Sequence, residues 1–143
     1  MLCQDLMKTE VETFREHDRV DEIARRMREV NIGFVPICDR DGRPVGTLTD
    51  RDLALRVCAE DRRASATHAG DVMTREVIAC RETDDVERAE EAMARHRKSR
   101  VMVLNEHGRL TGVISLSDVV EEEKDDVRAA DTMRHVTERE THA

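Results

Sequence analysis

Two stretches of this 143-residue chain set a hydroxyl and a carboxylate three residues apart behind a glycine. They are Gly46-Thr47-Leu48-Thr49-Asp50-Arg51-Asp52 and Gly112-Val113-Ile114-Ser115-Leu116-Ser117-Asp118. In each, a strand is expected to end at the hydroxyl residue and a helix to begin. Helix N-termini present unpaired backbone N–H groups and a positive dipole end, which favour phosphate. Thr49 and Ser115 add a hydroxyl donor for the same anion. Asp52 and Asp118, one turn in, are spaced to accept two hydrogen bonds from the cis-diol of a ribose. Gly46 and Gly112 let backbone or ligand approach closely. The same residues also fit a plainer description. Ser/Thr-x-x-Asp is a helix N-cap with a carboxylate at N3, and spacing alone leaves both readings open.

Catalysis finds no support in the sequence. No nucleophile has a partnered base in sequence context, and there is no phosphate-binding loop or dinucleotide fingerprint. His17, His68, His96, His107, His135 and His142 stand isolated among charged neighbours, as surface histidines do. Asp50, Arg51 and Asp52 have no second constellation to support acid–base work. Cys3, Cys38, Cys58 and Cys80 are scattered with no close pair, so free thiols in a reducing compartment are expected and no zinc spacing is seen.

The elements that position these residues repeat. Gly46 and Gly112 are 66 apart (112 − 46), as are Asp52 and Asp118 (118 − 52), Asp5 and Asp71, and Gly42 and Gly108. Laying residues 5–57 on 71–123 makes 14 of 53 positions identical, with no insertion or deletion. Several mismatches are conservative, such as Ile37 with Val103 and Thr49 with Ser115. Each copy opens with a lead-in, Asp5-Leu6-Met7 or Asp71-Val72-Met73, and a brief strand or extended segment around Val11 or Val77-Ile78. Asp18 with Asp21, and Asp84 with Glu87, read as helix caps. The stripe Val20, Ile23, Ala24, Met27 and Val30, echoed by Val86, Ala89, Met93 and His96, predicts an amphipathic helix with the methionines in the core.

Strands are expected at Phe34–Cys38 and Val101–Leu104, and again at Val45–Thr49 and Leu110–Ser115. Turns at Asp39–Arg43 and Asn105–Arg109 carry Gly42 and Gly108 at a positive-φ position. Closing helices run from about 50 to 59 and from 116 onward. The order is β-α-β-β-α, twice. The expected organisation is a first repeat over 1–60, a linker over 61–70, a second repeat over 71–125 and a charged C-terminal helix or tail over 126–143. That tail, with sparse Val127, Ala130, Met133 and Val136, is expected to extend the last helix and fray; a docking or dimer-contact helix is the alternative.

Composition narrows the partners. Each copy is marginal in size for an independent core, so the halves are expected to share one. Aromatic residues make up 1%, Phe14 and Phe34, which removes the usual platforms for stacking single-stranded nucleic acid. A net charge of −8 with interspersed signs argues against a grip on DNA or RNA phosphates. No apolar run is long enough to cross a bilayer, and the N-terminus lacks a signal-peptide pattern, so the expected location is cytoplasmic.

The chain resembles the CBS-domain family. The resemblance covers residues 1–125 and rests on Asp5-Leu6-Met7, Val35-Pro36-Ile37, Asp41-Gly42, Gly46 to Leu53, Asp71-Val72-Met73, Gly108 and Gly112 to Asp118. It implies an α/β (α+β) fold in which two repeats pack about a pseudo-two-fold axis as one CBS pair. It implies two clefts for an adenosine-containing ligand, AMP, ADP, ATP or S-adenosylmethionine; no cofactor is expected to be required, and the residues themselves point to no metal site and no catalysis. Thr49 with Asp52 would serve one cleft and Ser115 with Asp118 the other, Ser/Thr on phosphate and Asp on ribose. Adenine would lie against Val35 and Val101, near Val11 and Val77. Lys98 and Arg100, where the first copy has Ile32 and Phe34, would make one cleft the better anion site or lie as solvated surface charges. The implied protein is a regulatory homodimer that signals to a partner protein in trans; a ligand-free scaffold or stress-related module is the alternative.

Overall fold

A computed structural model describes residues 1–122 and 126–141. His142 and the last residues assigned above to the second repeat lie outside them. The chain divides into two compact units, Glu12–Val77 and Met1–Val11 with Ile78–Ala143. The units do not coincide with the repeats, because each takes its lead-in from the other copy.

The unit Glu12–Val77 contains α2 (Val20–Val30), β1 (Phe34–Cys38), β2 (Pro44–Thr49), α3 (Asp50–Leu53) and α4 (Ala69–Val72). The other contains α1 (Cys3–Leu6), β3 (Ala79–Arg81), α5 (Val86–His96), β4 (Arg100–Leu104), β5 (Leu110–Ser115), α6 (Leu116–Glu122) and α7 (Asp126–Thr141). Both hairpins are antiparallel, β1 on β2 and β4 on β5, and each shifts register at the same place, Ile37/Cys38 and Val103/Leu104. Their turns match too. Asp39 Oδ1 accepts from the Asp41 and Arg43 amides, and Asn105 Oδ1 from His107 and Arg109. Gly42 (φ 82°) and Gly108 (φ 76°) take the left-handed position that a side chain would strain.

Several local expectations are corrected. The opening strand of the second copy is β3, parallel to β4 and beginning after Val77. In the first copy it shrinks to one bridge, Phe14 to Ile37, beyond Val11. Asp18 and Asp84 do not cap helices; each carboxylate accepts an amide three residues back, from Arg15 and Arg81, and closes the preceding turn. The N-caps lie one residue later, at Arg19 and Asp85, and only Asp85 caps with its side chain, accepting from Glu87. Exchanged lead-ins supply what the caps do not. The Thr67 carbonyl accepts from the Val20 amide (2.9 Å) and the Met1 carbonyl from the Val86 amide (2.9 Å), satisfying a helix-start N–H in each copy.

The shared core is replaced by two apolar clusters, one per unit. The first gathers Val20, Ile23, Met27, Val35, Ile37, Leu48, Val57, Ala69, Val72 and Met73. The second gathers Cys3, Cys80, Ala89, Met93, Val101, Val103, Ile114, Val119 and Val136. Met27 and Met93 are core residues as expected, whereas Ala24 and His96 are exposed. Residues 61–70 join the copies without being loose, since Thr67 and Ala69 are buried and Ala69 and Gly70 donate to Asp18 and Glu16 carbonyls. The tail is α7, packed on α5 with Val136 and Thr132 buried. It covers Glu90, a carboxylate inside the helix stripe, whose Oε2 meets Arg128 Nε at 3.2 Å. The Val127 side chain is outside the description.

Candidate functional site

Both hydroxyl–carboxylate pairs close into the same corner. Thr49 ends β2 and is the N-cap of α3. Its amide donates to Asp52 Oδ2 at 3.0 Å, and its Oγ1 accepts from the Asp52 amide at 3.1 Å. Past Leu53 the helix widens into a π-helical turn over Ala54–Cys58. At the end of β5, Ser115 N donates to Asp118 Oδ2 at 3.0 Å and Ser115 Oγ accepts from the Asp118 amide at 3.2 Å. These are reciprocal capping boxes. One carboxylate oxygen is thus committed to the backbone in each copy.

The other oxygen faces a residue that spacing did not single out. Thr74 Oγ1 donates to Asp52 Oδ1 at 3.4 Å, with Arg56 Nε at 4.0 Å. Lys8 Nζ lies 3.4 Å from Asp118 Oδ1. Lys8 and Thr74 are themselves 66 apart (74 − 8), so the repeat offset was the signal that could have found them. Each arrives on a lead-in strand laid against the glycine. Thr74 and Thr47 exchange backbone hydrogen bonds at 2.8 and 2.9 Å, and Lys8 and Val113 do so at 3.0 Å. A Cβ on Gly46 would sit 2.5 Å from the Thr74 carbonyl oxygen; on Gly112 it would sit 2.6 Å from Met7 Sδ. The close approach expected of these glycines is therefore made by the chain itself, by the Thr74 backbone at Gly46 and by the Met7 side chain with the Lys8 carbonyl at Gly112.

Around these matched frames the charges differ. Arg100 stands opposite Ser115 in the β4–β5 register, where Phe34 stands opposite Thr49. The Ser99 carbonyl, between Lys98 and Arg100, accepts from the first amide of α6, Leu116 (2.8 Å). The Gly33 carbonyl accepts from Asp50 (3.0 Å), and the Asp50 carboxylate lies so close over Gly33 that a Cβ there would meet it at 2.6 Å. Lys8, Lys98 and Arg100 are exposed and flank the Asp118 corner along the chain and the sheet, whereas the Asp52 corner has Ile32 and Phe34 at the matching positions, the Asp50 carboxylate over Gly33, and Arg56 as its cation. Burial raises the pKa of Asp118, but the Ser115 hydrogen bonds and the Lys8 ammonium outweigh it and hold the carboxyl below its ordinary value.

Not every expected residue offers a contact surface. Val35 and Val101 are fully buried in the two cores, beneath the corners, and expose no side chain to an adenine. Val11 and Val77 are the last residues before the chain passes from one unit to the other. Two cavities, about 190 Å³ beside Leu6, Val86, Val119 and Arg128 and about 290 Å³ beside Glu82, Leu104 and His107, include neither corner. Among the described residues no three His, Cys, Asp or Glu side chains stand together as metal ligands. No helix among them is long and apolar enough to cross a membrane.

Comparison with known proteins assigns the family. The CBS domain model matches residues 3–58 and 69–125, both copies. This chain belongs to the CBS-domain family. Its mixed helix–strand repeats are the α+β fold of that family. The uncharacterized protein YlbB of Bacillus subtilis (strain 168) is 32% identical over 136 residues, 94% of this chain and 90% of that protein. Among solved structures, the CBS domain protein PAE2072 from Pyrobaculum aerophilum complexed with AMP is 28% identical with a TM-score of 0.79, covering 91% of this chain and 98% of that one. The CBS domain pair of MJ0100 in complex with 5′-methylthioadenosine and S-adenosyl-L-methionine is 26% identical with a TM-score of 0.74, covering 85% and 94%. These CBS structures make a ligand-binding regulatory module the general class to which the chain is similar.

Proposed function

We propose that this CBS protein is a non-enzymatic sensor whose two [Ser/Thr]-x-x-Asp corners each bind an adenosine-containing ligand. The observation that carries the reading is the second carboxylate oxygen. Asp52 and Asp118 are each held rigid through Oδ2, while Oδ1 meets long contacts to the Thr74 hydroxyl and Arg56 in one copy and an exposed ammonium in the other. The Lys8 side chain is 74% exposed and that of Asp118 9%, so water screens the ammonium side of the pair. A ribose diol can displace it and bond to a carboxylate whose orientation is already set. Relatives that hold AMP or S-adenosyl-L-methionine support the ligand class.

The corners are not equivalent in this reading. Lys8, Lys98 and Arg100 suit the Asp118 corner to phosphates of AMP, ADP or ATP. Ile32, Phe34 and Asp50 suit the Asp52 corner to an adenosine without phosphate, such as the sulfonium of S-adenosylmethionine. Signalling goes to a partner protein in trans from a homodimer in the cytoplasm, and its size is bounded by the ligand's differential affinity for two arrangements.

The test is thermal unfolding with AMP, ADP, ATP and S-adenosylmethionine at millimolar concentration. A ligand at about 100 times its Kd adds about 2.7 kcal/mol to the native state, a shift of several degrees. Asp52→Asn and Asp118→Asn are the variants of choice, because alanine would also remove a capping partner. Each is expected to abolish one ligand's shift. Lys98→Ala with Arg100→Ala is expected to weaken nucleotide binding about tenfold or more and leave S-adenosylmethionine unaffected. The competing scaffold reading is favoured by the capping boxes themselves, which account for both aspartates without a ligand; no shift with any compound would establish it.

A further inference from the structure

The four cysteines are scattered in sequence, but two of them meet. Cys3 Sγ and Cys80 Sγ are 3.3 Å apart, one on α1 and one on β3, inside the core of the unit Met1–Val11 with Ile78–Ala143. We propose that Cys3 and Cys80 are a redox modification site that closes to a disulfide under a two-electron oxidant such as hydrogen peroxide. A disulfide needs about 2.05 Å between sulfurs, so the atoms must close by about 1.2 Å.

The pair is chemically differentiated. The Cys80 thiol donates to the Cys3 sulfur, which holds Cys3 below the ordinary thiol value against the effect of burial. The same contact, then burial and the nearby charges, push Cys80 up. Cys3 is therefore the attacking thiolate. Its sulfur displaces hydroxide from peroxide and becomes a sulfenic acid. Cys80 sulfur then attacks the Cys3 sulfur, the second oxygen leaves as hydroxide, and the two thiol protons convert both hydroxides to water. Two thiols and one peroxide become one disulfide and two waters.

Access comes through α1. Cys3 is 0% and Cys80 7% exposed, but α1 is a single turn bound to the next segment through Cys3 N to Asp84 O and Gln4 N to Glu82 O. Met1 and Leu2 before it are exposed. Lifting that turn opens the pair. The crosslink would close a loop running from residue 3 to residue 80, which contains the entire unit Glu12–Val77. It would also tether the lead-in that delivers Lys8 to Asp118. The other copy has no counterpart, since Ala69 and Phe14 occupy the positions 66 away from Cys3 and Cys80.

The test uses the full chain carrying Cys58→Ser, because Cys58 is exposed and would form bonds between molecules. After stoichiometric hydrogen peroxide, the protein is alkylated under denaturing conditions and digested without reduction. The expected result is a Cys3–Cys80 linked peptide pair, reversed by dithiothreitol, with Tm raised by about 5 °C or more from closing so long a loop. Cys3→Ala installs the residue of the equivalent buried position and is expected to abolish both changes. Full alkylation of Cys3 and Cys80 after oxidation, or Cys3 recovered as sulfinic acid with no linked peptide, would overturn the proposal.

Discussion

Asp118 shows how a single residue links capping, charge and pH. Its carboxyl is held below the ordinary value, so it binds a proton more weakly in the native state than in the unfolded chain. Its contribution to stability is complete above the unfolded value near pH 4 and is lost as pH falls through the depressed native value. Acid titration of Tm is expected to show wild-type protein losing stability below about pH 4, with a shallower fall in Asp118→Asn. An unchanged acid limb in the variant would show that the Ser115 and Lys8 contacts do not bias the ionised form. Asp52 has the same box but Thr74 in place of Lys8, with Arg56 Nε at 4.0 Å, so the two aspartates, identical by motif, have different surroundings.

At the scale of elements, the lead-in strand and the glycine are one device. Met7 and Lys8 pack on Gly112 and pair with Val113, so a methyl group at residue 112 has nowhere to go. Gly112→Ala is expected to destabilise by about 2 kcal/mol through overpacking, seen as a lowered urea midpoint at constant m-value. Gly46→Ala is expected to cost more, because a backbone oxygen, that of Thr74, stands at 2.5 Å, whereas at residue 112 the nearest atoms belong to the flexible Met7 and the Lys8 backbone oxygen is farther, at 2.9 Å. Equal cost in both would mean the lead-in strands shift freely. Sequence spacing marked both glycines, but the nearest atoms they make room for belong to Met7 and Thr74, 105 and 28 positions away in the chain (112 − 7 and 74 − 46), and only packing brings those together.

For the whole molecule, the exchange of lead-ins means that neither copy is complete alone. Residues 1–11 supply Cys3 to the core of the unit built mostly from the second copy, and residues 69–73 supply Ala69, Val72 and Met73 to the other. Deleting residues 1–8 is therefore expected to lower amide-exchange protection in β4, β5 and α5 while leaving β1, β2 and α2 protected, in spite of the deletion lying at the start of the first copy. Loss of protection in β1 and β2 instead would contradict the exchanged arrangement. The same exchange explains why a chain whose 55–60-residue copies are each marginal can build two cores.

Repeat, hairpins, turn glycines and the hydroxyl–carboxylate corners were legible in the amino-acid sequence, because they follow local rules of capping, turn geometry and alternation that recur at one fixed offset, whereas the opening strand of the first copy was not. Tertiary structure alone decided what the corners touch. The partners of Asp52 and Asp118, the meeting of Cys3 with Cys80, and the burial of Val35 and Val101 depend on which lead-in crosses to which hairpin. That choice is set by long-range packing and backbone pairing, which leave no periodicity in the chain to read.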